Sequence, residues 1–253
     1  MILSIANQKG GVGKTTTAQA LYSGLILKGF KVLAIDLDPQ SNLSTALGAD
    51  TGDGVNTIFD VMSGKVQDVH SAIQQIGDGF ILPSNILLSG AEREFVSKMK
   101  REELLISPLN SICDEYDFII IDTPPSLGIL TINAFVASNK IIIPVGADAF
   151  SLQGVSQLAD TIETVKGFFP VDIGGILLTR YNSRTCLSQE LTKVIENAAT
   201  QLNTKVFNSR IRSSVSIQEA QAQQMNILDY ANNSAQLDYK NFVDEFLKDL
   251  NDE

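Results

Sequence analysis

Several residue types that mark particular classes of protein are scarce in this sequence of 253 residues. The two cysteines, Cys113 and Cys186, lie far apart without C-x-x-C spacing, which argues against a disulfide framework or a zinc site. The single histidine, His70, has no partner cluster and is a poor metal ligand. No apolar run approaches the ~18 residues of a membrane span, and the first residues already predict a strand. We therefore expect a cytoplasmic protein without a signal peptide.

The charge balance is acidic overall but uneven along the chain. A net charge of −10 argues against a nucleic-acid footprint over the whole surface, and 44% hydrophobic residues are ample for a buried core. Residues 180–213 differ, because six basic and two acidic residues give this window a charge of +4. A local basic patch predicts a weak, salt-sensitive contact with DNA phosphates.

The most informative stretch is the glycine-rich segment at residues 8–15, QKGGVGKT. It follows an apolar run that predicts a buried strand and precedes a helix-forming segment, residues 16–27. In such a unit the glycines let successive N–H groups turn toward an anion, and the helix adds its positive end. We therefore predict that Lys14 reaches the β- and γ-phosphates of a nucleotide and that Thr15 binds Mg²⁺.

The loop departs from the standard phosphate-loop pattern in two places. Position 8 is Gln instead of Gly, and a second lysine, Lys9, precedes the Gly-Gly pair. This K-G-G-x-G-K-T-T loop resembles that of the ParA/MinD family of dimerising ATPases, and the resemblance extends over nearly the whole chain. It implies ATP and Mg²⁺ as ligands. The residues implied in nucleotide binding are Lys9, Gly10, Gly11, Val12, Gly13, Lys14, Thr15 and Thr16.

The remaining pattern alternates buried strands with helical segments, which is typical of a doubly wound α/β fold with a mostly parallel sheet and helices on both faces. Strands are predicted at residues 1–6, 31–37, 79–83, 117–122, 140–145, 173–179 and 205–207. Helices are predicted at residues 16–27, 57–62, within 86–106, from a cap at Ser126 to Ala137, and at 151–166, 194–202 and 241–250. We predict a single P-loop domain, residues 1–253, on which a C-terminal helix within residues 236–250 packs.

Carboxylates stand at the predicted ends of two buried strands, where ligands bind in open α/β sheets. Asp36 and Asp38 lie in D-L-D-P-Q, which resembles the first switch region of the family, and Asp38 matches the carboxylate that orients the attacking water. The open alternative is that these carboxylates cap a helix beginning at Ser41. Asp122 ends a Walker B strand. We predict that Thr15, Asp36 and Asp122 hold Mg²⁺ and that Lys9, Lys14 and Asp38 are catalytic.

Two further sets of candidates lie in the last third of the chain. Thr179 and Arg180 match the adenine-side loop of the family, although an ordinary basic loop is the alternative. Residues 211–222 keep the hydrophobic frame of a segment found in DNA-partitioning relatives but not the register of its arginines. The predicted DNA contacts are Arg180, Arg184, Arg210 and Arg212.

The resemblance implies an ATP-dependent switch for plasmid or chromosome partitioning. It implies a homodimer with ATP sandwiched at the interface, where Lys9 acts on the phosphates of the partner. It further implies non-specific DNA binding, association with the nucleoid, and slow hydrolysis that a centromere-binding ParB-like protein stimulates. Two alternatives remain open: a MinD-like membrane-associated positioning ATPase, and a biosynthetic ligase that phosphorylates a carboxylate. The acidic flanks of the C-terminal helix disfavour a membrane partner.

Overall fold

The computed structural model describes residues 1–146, 151–183, 185–230 and 233–252, and these form an eight-stranded sheet. The strands are β1 (Ile2–Ile5), β2 (Val32–Asp36), β3 (Gln74–Ile76), β4 (Gly79–Leu82), β5 (Phe118–Asp122), β6 (Lys140–Gly146), β7 (Asp172–Tyr181) and β8 (Val206–Arg212). Their spatial order is β3-β4-β2-β5-β1-β6-β7-β8, and only the β3–β4 pair is antiparallel. The predicted mostly parallel sheet is therefore confirmed.

Helices cover both faces of the sheet, as the doubly wound prediction requires. They are α1 (Lys14–Leu27), α2 (Asn42–Leu47), α3 (Ile58–Ser63), α4 (Ala91–Phe95), α5 (Ile106–Leu109), α6 (Ile129–Ala137), α7 (Ser151–Lys166), α8 (Cys186–Gln201), α9 (Val215–Ala222) and α10 (Ser234–Asn251). Helices α1, α2, α9 and α10 contribute to one hydrophobic core, and α3 to α8 contribute to the other. Because both faces are covered, β2 and β5 are buried along their whole length and read as continuous apolar runs.

The start of α6 corrects one sequence prediction. The helix begins at Ile129 with Gly128 as its N-cap, not at a cap formed by Ser126. The side chain that satisfies this end comes from another helix, because a carboxylate oxygen of Glu92 in α4 accepts the Ile129 N–H at 3.1 Å. The backbone carbonyl of Ser126 instead accepts a hydrogen bond from the Thr131 hydroxyl at 2.5 Å. A cap supplied by a distant side chain leaves no signature in the local sequence.

Other elements differ from prediction mainly in length. The helix predicted within residues 86–106 is the five-residue α4, flanked by 3₁₀ turns at residues 86–90 and 101–103. Strands β7 and β8 run further than their apolar cores, to Tyr181 and Arg212, because they pair with each other at Leu178↔Arg210 and Tyr181↔Arg212. The extension places Arg210 and Arg212 at the end of β8, which is an edge strand of the sheet.

The C-terminal helix α10 begins at Ser234, earlier than predicted, and packs on α1 and β8. The Phe242 ring meets the Phe207 ring edge-on at 5.0 Å between centroids. The Glu245 carboxylate accepts the N–H groups of Asn208 and Ser209 at 2.6 and 2.7 Å, which satisfies donors on the edge strand β8. Within the described ranges, no helix has the length and apolar character needed to cross a membrane.

Candidate functional site

The sheet order brings the predicted site residues to one edge. Strand β5 lies between β1 and β2, so Asp122 is aligned with Ile5 on one side and with Asp36 on the other. The glycine-rich loop leaves the end of β1 and runs into α1 at Lys14. The phosphate-loop candidates and the strand-end carboxylates therefore converge, although more than 80 residues separate Asp36 from Asp122 in the chain.

The glycine-rich loop has the geometry of an anion site. Gly11 and Gly13 have φ angles of +71° and +88°, a region that side chains with a Cβ rarely adopt. Gly13 is the N-cap of α1, and no side chain caps that end of the helix. No side-chain cap therefore competes with an anion at this end of α1, and the helix dipole favours negative charge there.

Two side chains outside the glycines fix the loop in place. The Asn7 amide donates to the Pro144 carbonyl at 2.7 Å, and its carbonyl oxygen accepts the Lys9 N–H at 2.9 Å. The Thr179 hydroxyl donates to the Val12 carbonyl at 2.8 Å. Thr179, predicted as an adenine-side contact, is buried and supports the loop from beneath. Asn7 was not predicted, although a polar residue directly after a buried strand is a signal that could have identified it.

Lys14 is buried at the start of α1, and its ammonium group donates to the Lys9 carbonyl at 3.2 Å. Burial lowers the pKa of Lys14, and the negative charges of Asp122 and Asp38 act in the opposite direction. The ammonium group thus lies in the field of both strand-end carboxylates. An anionic ligand bound to the loop would interact with a desolvated positive charge at this point.

Asp122 is a buried carboxylate whose two oxygens have no hydrogen-bond partner among the described residues. Burial, followed by the nearby charge of Asp36, raises the pKa of Asp122 well above its usual value. The Thr15 hydroxyl and the Lys14 ammonium group act to lower the pKa of the same carboxylate. An unpaired buried carboxylate beside a threonine hydroxyl is a set of hard oxygen donors that fits Mg²⁺.

The other two carboxylates are already engaged with the chain. Asp36 is completely buried and accepts three hydrogen bonds, one from the Asp38 N–H and two from Ser44. Burial raises the pKa of Asp36 to about 6, while the hydrogen bonds from Ser44 oppose the shift. One oxygen of Asp38 accepts the Gln40 N–H at 2.9 Å. The Ser44 contacts tie Asp36 to the first turn of α2, in line with the helix-capping alternative for Asp36.

A cleft of about 560 Å³ opens from the loop toward α9. The loop residues from Gly10 to Thr16 line it, together with Asp38, Thr179, Arg180 and Arg212. The opposite wall comes from the end of β8 and from α9, including Ser213, Ser214 and Gln218. A nucleotide whose phosphates bind the loop would extend along this cleft, which is of the size usual for ligand sites.

Lys9 is half-buried and is not among the described residues that line the cleft. Lys9 therefore differs from Lys14, which does line the cleft. Arg180 adopts a positive φ of 50° and lies over Gly11, where a Cβ atom would come within 3.2 Å of its guanidinium. This contact places Arg180 beside the phosphate loop.

The structure separates the arginines that were predicted to contact DNA. Arg212 lies on the cleft wall, and its guanidinium binds both carboxylate oxygens of Asp238. Arg210 lines a separate cleft of about 260 Å³, stacks over the Tyr181 ring and approaches Glu196 at 3.6 Å. Arg184 lies outside the described residues. Arg180 and Arg212 thus share one cleft, and Arg210 belongs to another.

Tyr239 of α10 is a site residue that the sequence did not reveal. Its buried hydroxyl lies 3.5 Å from the Thr17 hydroxyl and would lie 3.7 Å from a Cβ atom at Gly13. Burial raises the pKa of Tyr239 to about 12, so the hydroxyl stays protonated. It supports the loop from a position 222 residues away from Thr17, and no local motif carries that information.

Comparison with known proteins agrees with this geometry. A family model described as an AAA domain matches residues 1–172. The chain is 40% identical over 232 residues to the chromosome-partitioning ATPase Soj of Treponema pallidum, covering 90% of this chain and 89% of Soj. It is 38% identical over 224 residues to the chromosome partitioning protein ParA of Caulobacter vibrioides, covering 87% of this chain and 83% of ParA.

A solved structure shows the same fold. Cobyrinic acid a,c-diamide synthase from Mycobacterium smegmatis, with bound ADP and magnesium, superposes with a TM-score of 0.84 at 31% identity, covering 99% of this chain and 95% of the synthase. The fold prediction of a P-loop ATPase is therefore confirmed. By its AAA domain and its identity with Soj and ParA over most of its length, the chain belongs to the family of ParA-type partitioning ATPases.

Proposed function

We propose that this protein is an ATP-driven switch for partitioning plasmid or chromosome DNA. ATP binding pairs two copies of the chain, the pair binds DNA without sequence preference, and hydrolysis releases it. A centromere-binding protein of the ParB kind stimulates a basal turnover that is slow. In this scheme the protein is cytoplasmic and associates with the nucleoid while ATP is bound.

The observation that carries the proposal is the convergence of four side chains at the carboxyl edge of the sheet, three of them lining the cleft. Lys14 and Thr15 come from the start of α1, Asp38 follows β2, and Asp122 ends β5. The buried, unpaired oxygens of Asp122 provide the feature that a cation completes. We assign the loop residues from Gly10 to Thr16 to the phosphates of ATP, with Arg180 beside them.

Four residues of the chain have separate roles in ATP hydrolysis. Thr15 and Asp122 would hold Mg²⁺, which neutralises charge on the β- and γ-phosphate oxygens when it is bound. Lys14 meets the same oxygens through its desolvated ammonium group. Asp38, which lines the cleft, orients the water that attacks the γ-phosphorus while the bond to ADP breaks.

Lys9 is assigned to the partner's nucleotide. Lys14 and the N–H groups at the start of α1 already face the loop, so a second lysine there adds little to binding within one chain. It contributes more if it reaches phosphates held by a second copy, as an arginine finger does in trans. Two ATP molecules would then be sandwiched at a symmetric interface.

DNA binding is assigned to the basic residues of the last third of the chain. The candidates are Arg180, Arg184, Arg210 and Arg212, carried on a protein with a net charge of −10. One chain alone then offers few phosphate contacts against an unfavourable overall charge. Pairing two chains doubles those contacts, so DNA binding should require ATP and fall steeply with salt.

The test is a DNA-binding titration with the Asp38→Ala protein, which should retain ATP without hydrolysing it. Fluorescence anisotropy of a random-sequence duplex would be followed with ATP, with ADP and without nucleotide, at two salt concentrations. We expect binding with ATP only, and weaker binding at the higher salt. Binding that ignores the nucleotide, or no binding at low salt, would refute the proposal.

The second candidate is a ligase that activates a carboxylate, which the likeness to a diamide synthase favours. The two functions differ in what accelerates ATP hydrolysis. A partitioning switch responds to DNA together with its protein partner, whereas a ligase responds to its acid substrate. Acceleration by DNA and the product of a neighbouring partition gene, measured as phosphate release, would support the switch over the ligase.

A further inference from the structure

Asp36 and Asp122 occupy equivalent positions at the ends of two adjacent strands, yet their surroundings differ. The two residues are aligned across β2 and β5, and both side chains are completely buried. Both oxygens of Asp122 lack a partner among the described residues, whereas each oxygen of Asp36 accepts at least one hydrogen bond. Neither carboxylate is among the described residues that line the cleft, so the difference between them lies in their hydrogen bonds. A magnesium ion would therefore meet two different carboxylates at this edge.

The hydrogen bonds of Asp36 join three separate segments. Its Oδ1 accepts the Asp38 N–H at 3.0 Å. Its Oδ2 accepts the N–H and the hydroxyl of Ser44 in α2, both at 2.8 Å. The Ser44 oxygen accepts in turn the N–H of Ser84, which follows β4, at 3.0 Å. Asp36, Ser44 and Ser84 are all completely buried, so each of these bonds is made away from water.

We propose that Asp36 and Ser44 are positioning residues for Asp38, and that Asp36 is not a ligand of the metal. The inference rests on the proposed function, in which Asp38 orients the attacking water. Asp36 holds the backbone of Asp38 directly, and Ser44 fixes the other oxygen of the same carboxylate. Together they fasten the loop between β2 and α2 to the sheet.

Physical reasoning favours this division of roles over the prediction that both carboxylates bind magnesium. A metal at Asp36 would compete with three hydrogen bonds that are already made inside the protein, and any donor of Ser44 or Asp38 that it displaced would be left buried without a partner. The oxygens of Asp122 accept no hydrogen bond of ordinary geometry among the described residues, so a metal there would displace at most the interaction with the Thr15 hydroxyl. Catalysis is sensitive to small displacements of the group that orients a reactant. Loosening the loop that carries Asp38 should therefore lower kcat and leave the ATP affinity unchanged.

The test separates positioning from metal binding by kinetics. ATP hydrolysis would be measured for Ser44→Ala, Asp36→Asn and Asp122→Asn as a function of Mg²⁺ concentration, together with ATP affinity. For Ser44→Ala we expect kcat to fall about tenfold or more, while the Mg²⁺ concentration for half-maximal rate and the ATP affinity change less than about twofold. We expect the same result for Asp36→Asn, because an amide cannot accept hydrogen bonds from the Asp38 N–H and both donors of Ser44. Asp122→Asn should raise the Mg²⁺ requirement.

Ser41→Ala is the matched control, because it removes a hydroxyl from the same loop. The Ser41 hydroxyl donates to the Pro39 carbonyl at 3.4 Å and makes no bond to Asp36. We expect kcat of this variant to stay within about twofold of the parent protein. Thermal unfolding would be recorded for each variant, and Ser44→Ala carries the test if Asp36→Asn does not fold.

Two results would overturn the inference. One is an unchanged kcat for Ser44→Ala, and the other is a raised Mg²⁺ requirement for Ser44→Ala or Asp36→Asn. Failure of the proposed function is distinguishable from both, because the parent protein would then hydrolyse no ATP even with DNA and a partner protein.

Discussion

The guanidinium of Arg212 donates to both carboxylate oxygens of Asp238, with its Nη2 atom 2.7 Å from Oδ1 and its Nε atom 2.9 Å from Oδ2. Asp238 is nearly buried on α10, whereas the Arg212 side chain is 49% exposed. A predicted DNA contact is thus paired with an internal carboxylate. A DNA phosphate would have to compete with Asp238 for the same donors.

We predict that Asp238→Asn strengthens DNA binding by the ATP-bound protein about two- to fivefold, because the competing charge is removed. Asp244→Asn is the control, since Asp244 lies on the same helix and pairs with Lys28 instead. Anisotropy titrations with a random-sequence duplex would measure both variants. Equal strengthening by the two substitutions would show that only net charge matters.

We predict that Lys14→Ala lowers ATP affinity at least about tenfold, because it removes a contact between a desolvated charge and a phosphate. Lys28→Ala, at an exposed lysine just after α1, should keep the affinity of the parent protein. Equilibrium titration with a fluorescent ATP analogue would compare them. The phosphate-loop assignment is wrong if Lys14→Ala binds as tightly as the control.

We predict that Lys9→Ala keeps near-normal ATP affinity as a monomer but loses ATP-dependent dimerisation. The reason is that its ammonium group is assigned to the partner's phosphates, whereas Lys14 serves its own chain. Sedimentation velocity in saturating ATP would compare Asp38→Ala with the double variant that also carries Lys9→Ala. Equal dimer content in the two proteins would refute the role in trans.

We predict that Asp122→Asn raises the melting temperature of the nucleotide-free protein by about 3 °C or more, while it raises the Mg²⁺ concentration needed for ATP binding. The buried carboxylate without a hydrogen-bond partner costs stability, and an amide carries no charge into that site. Differential scanning calorimetry without nucleotide would measure the change. A lower melting temperature would mean that Lys14 pairs with Asp122 strongly enough to offset its burial.

The same substitution has a pH dependence whose sign follows from the raised pKa of Asp122. A carboxyl group with a raised native pKa binds its proton more tightly in the folded state, so it stabilises the fold at low pH and loses that contribution as pH rises. The difference in melting temperature between Asp122→Asn and the parent should therefore grow as the pH rises from about 4, the ordinary pKa of an aspartate, through the raised native pKa of Asp122. A difference that is constant over this range would contradict the assignment.

Local sequence patterns were sufficient for the elements whose signals are complete within a few residues. The strand, glycine loop and helix from Ile2 to Leu27 were predicted because buried parallel strands read as apolar runs and the loop needs glycine at positive φ. The same holds for β5, which ends at Asp122. Ser126 was a wrong cap because the group that satisfies α6 comes from Glu92, 37 residues earlier.

What the sequence determined by itself is the kind of chemistry, since the phosphate loop, D-x-D and Walker B motifs each act through residues that are adjacent in the chain. Only the tertiary structure decided which carboxylate is unpaired, because Asp36 and Asp122 differ in whether Ser44 reaches them. It also decided that Tyr239 supports the loop and that Asp238 holds Arg212. Those contacts depend on where α10 packs, and packing of distant segments has no local signature.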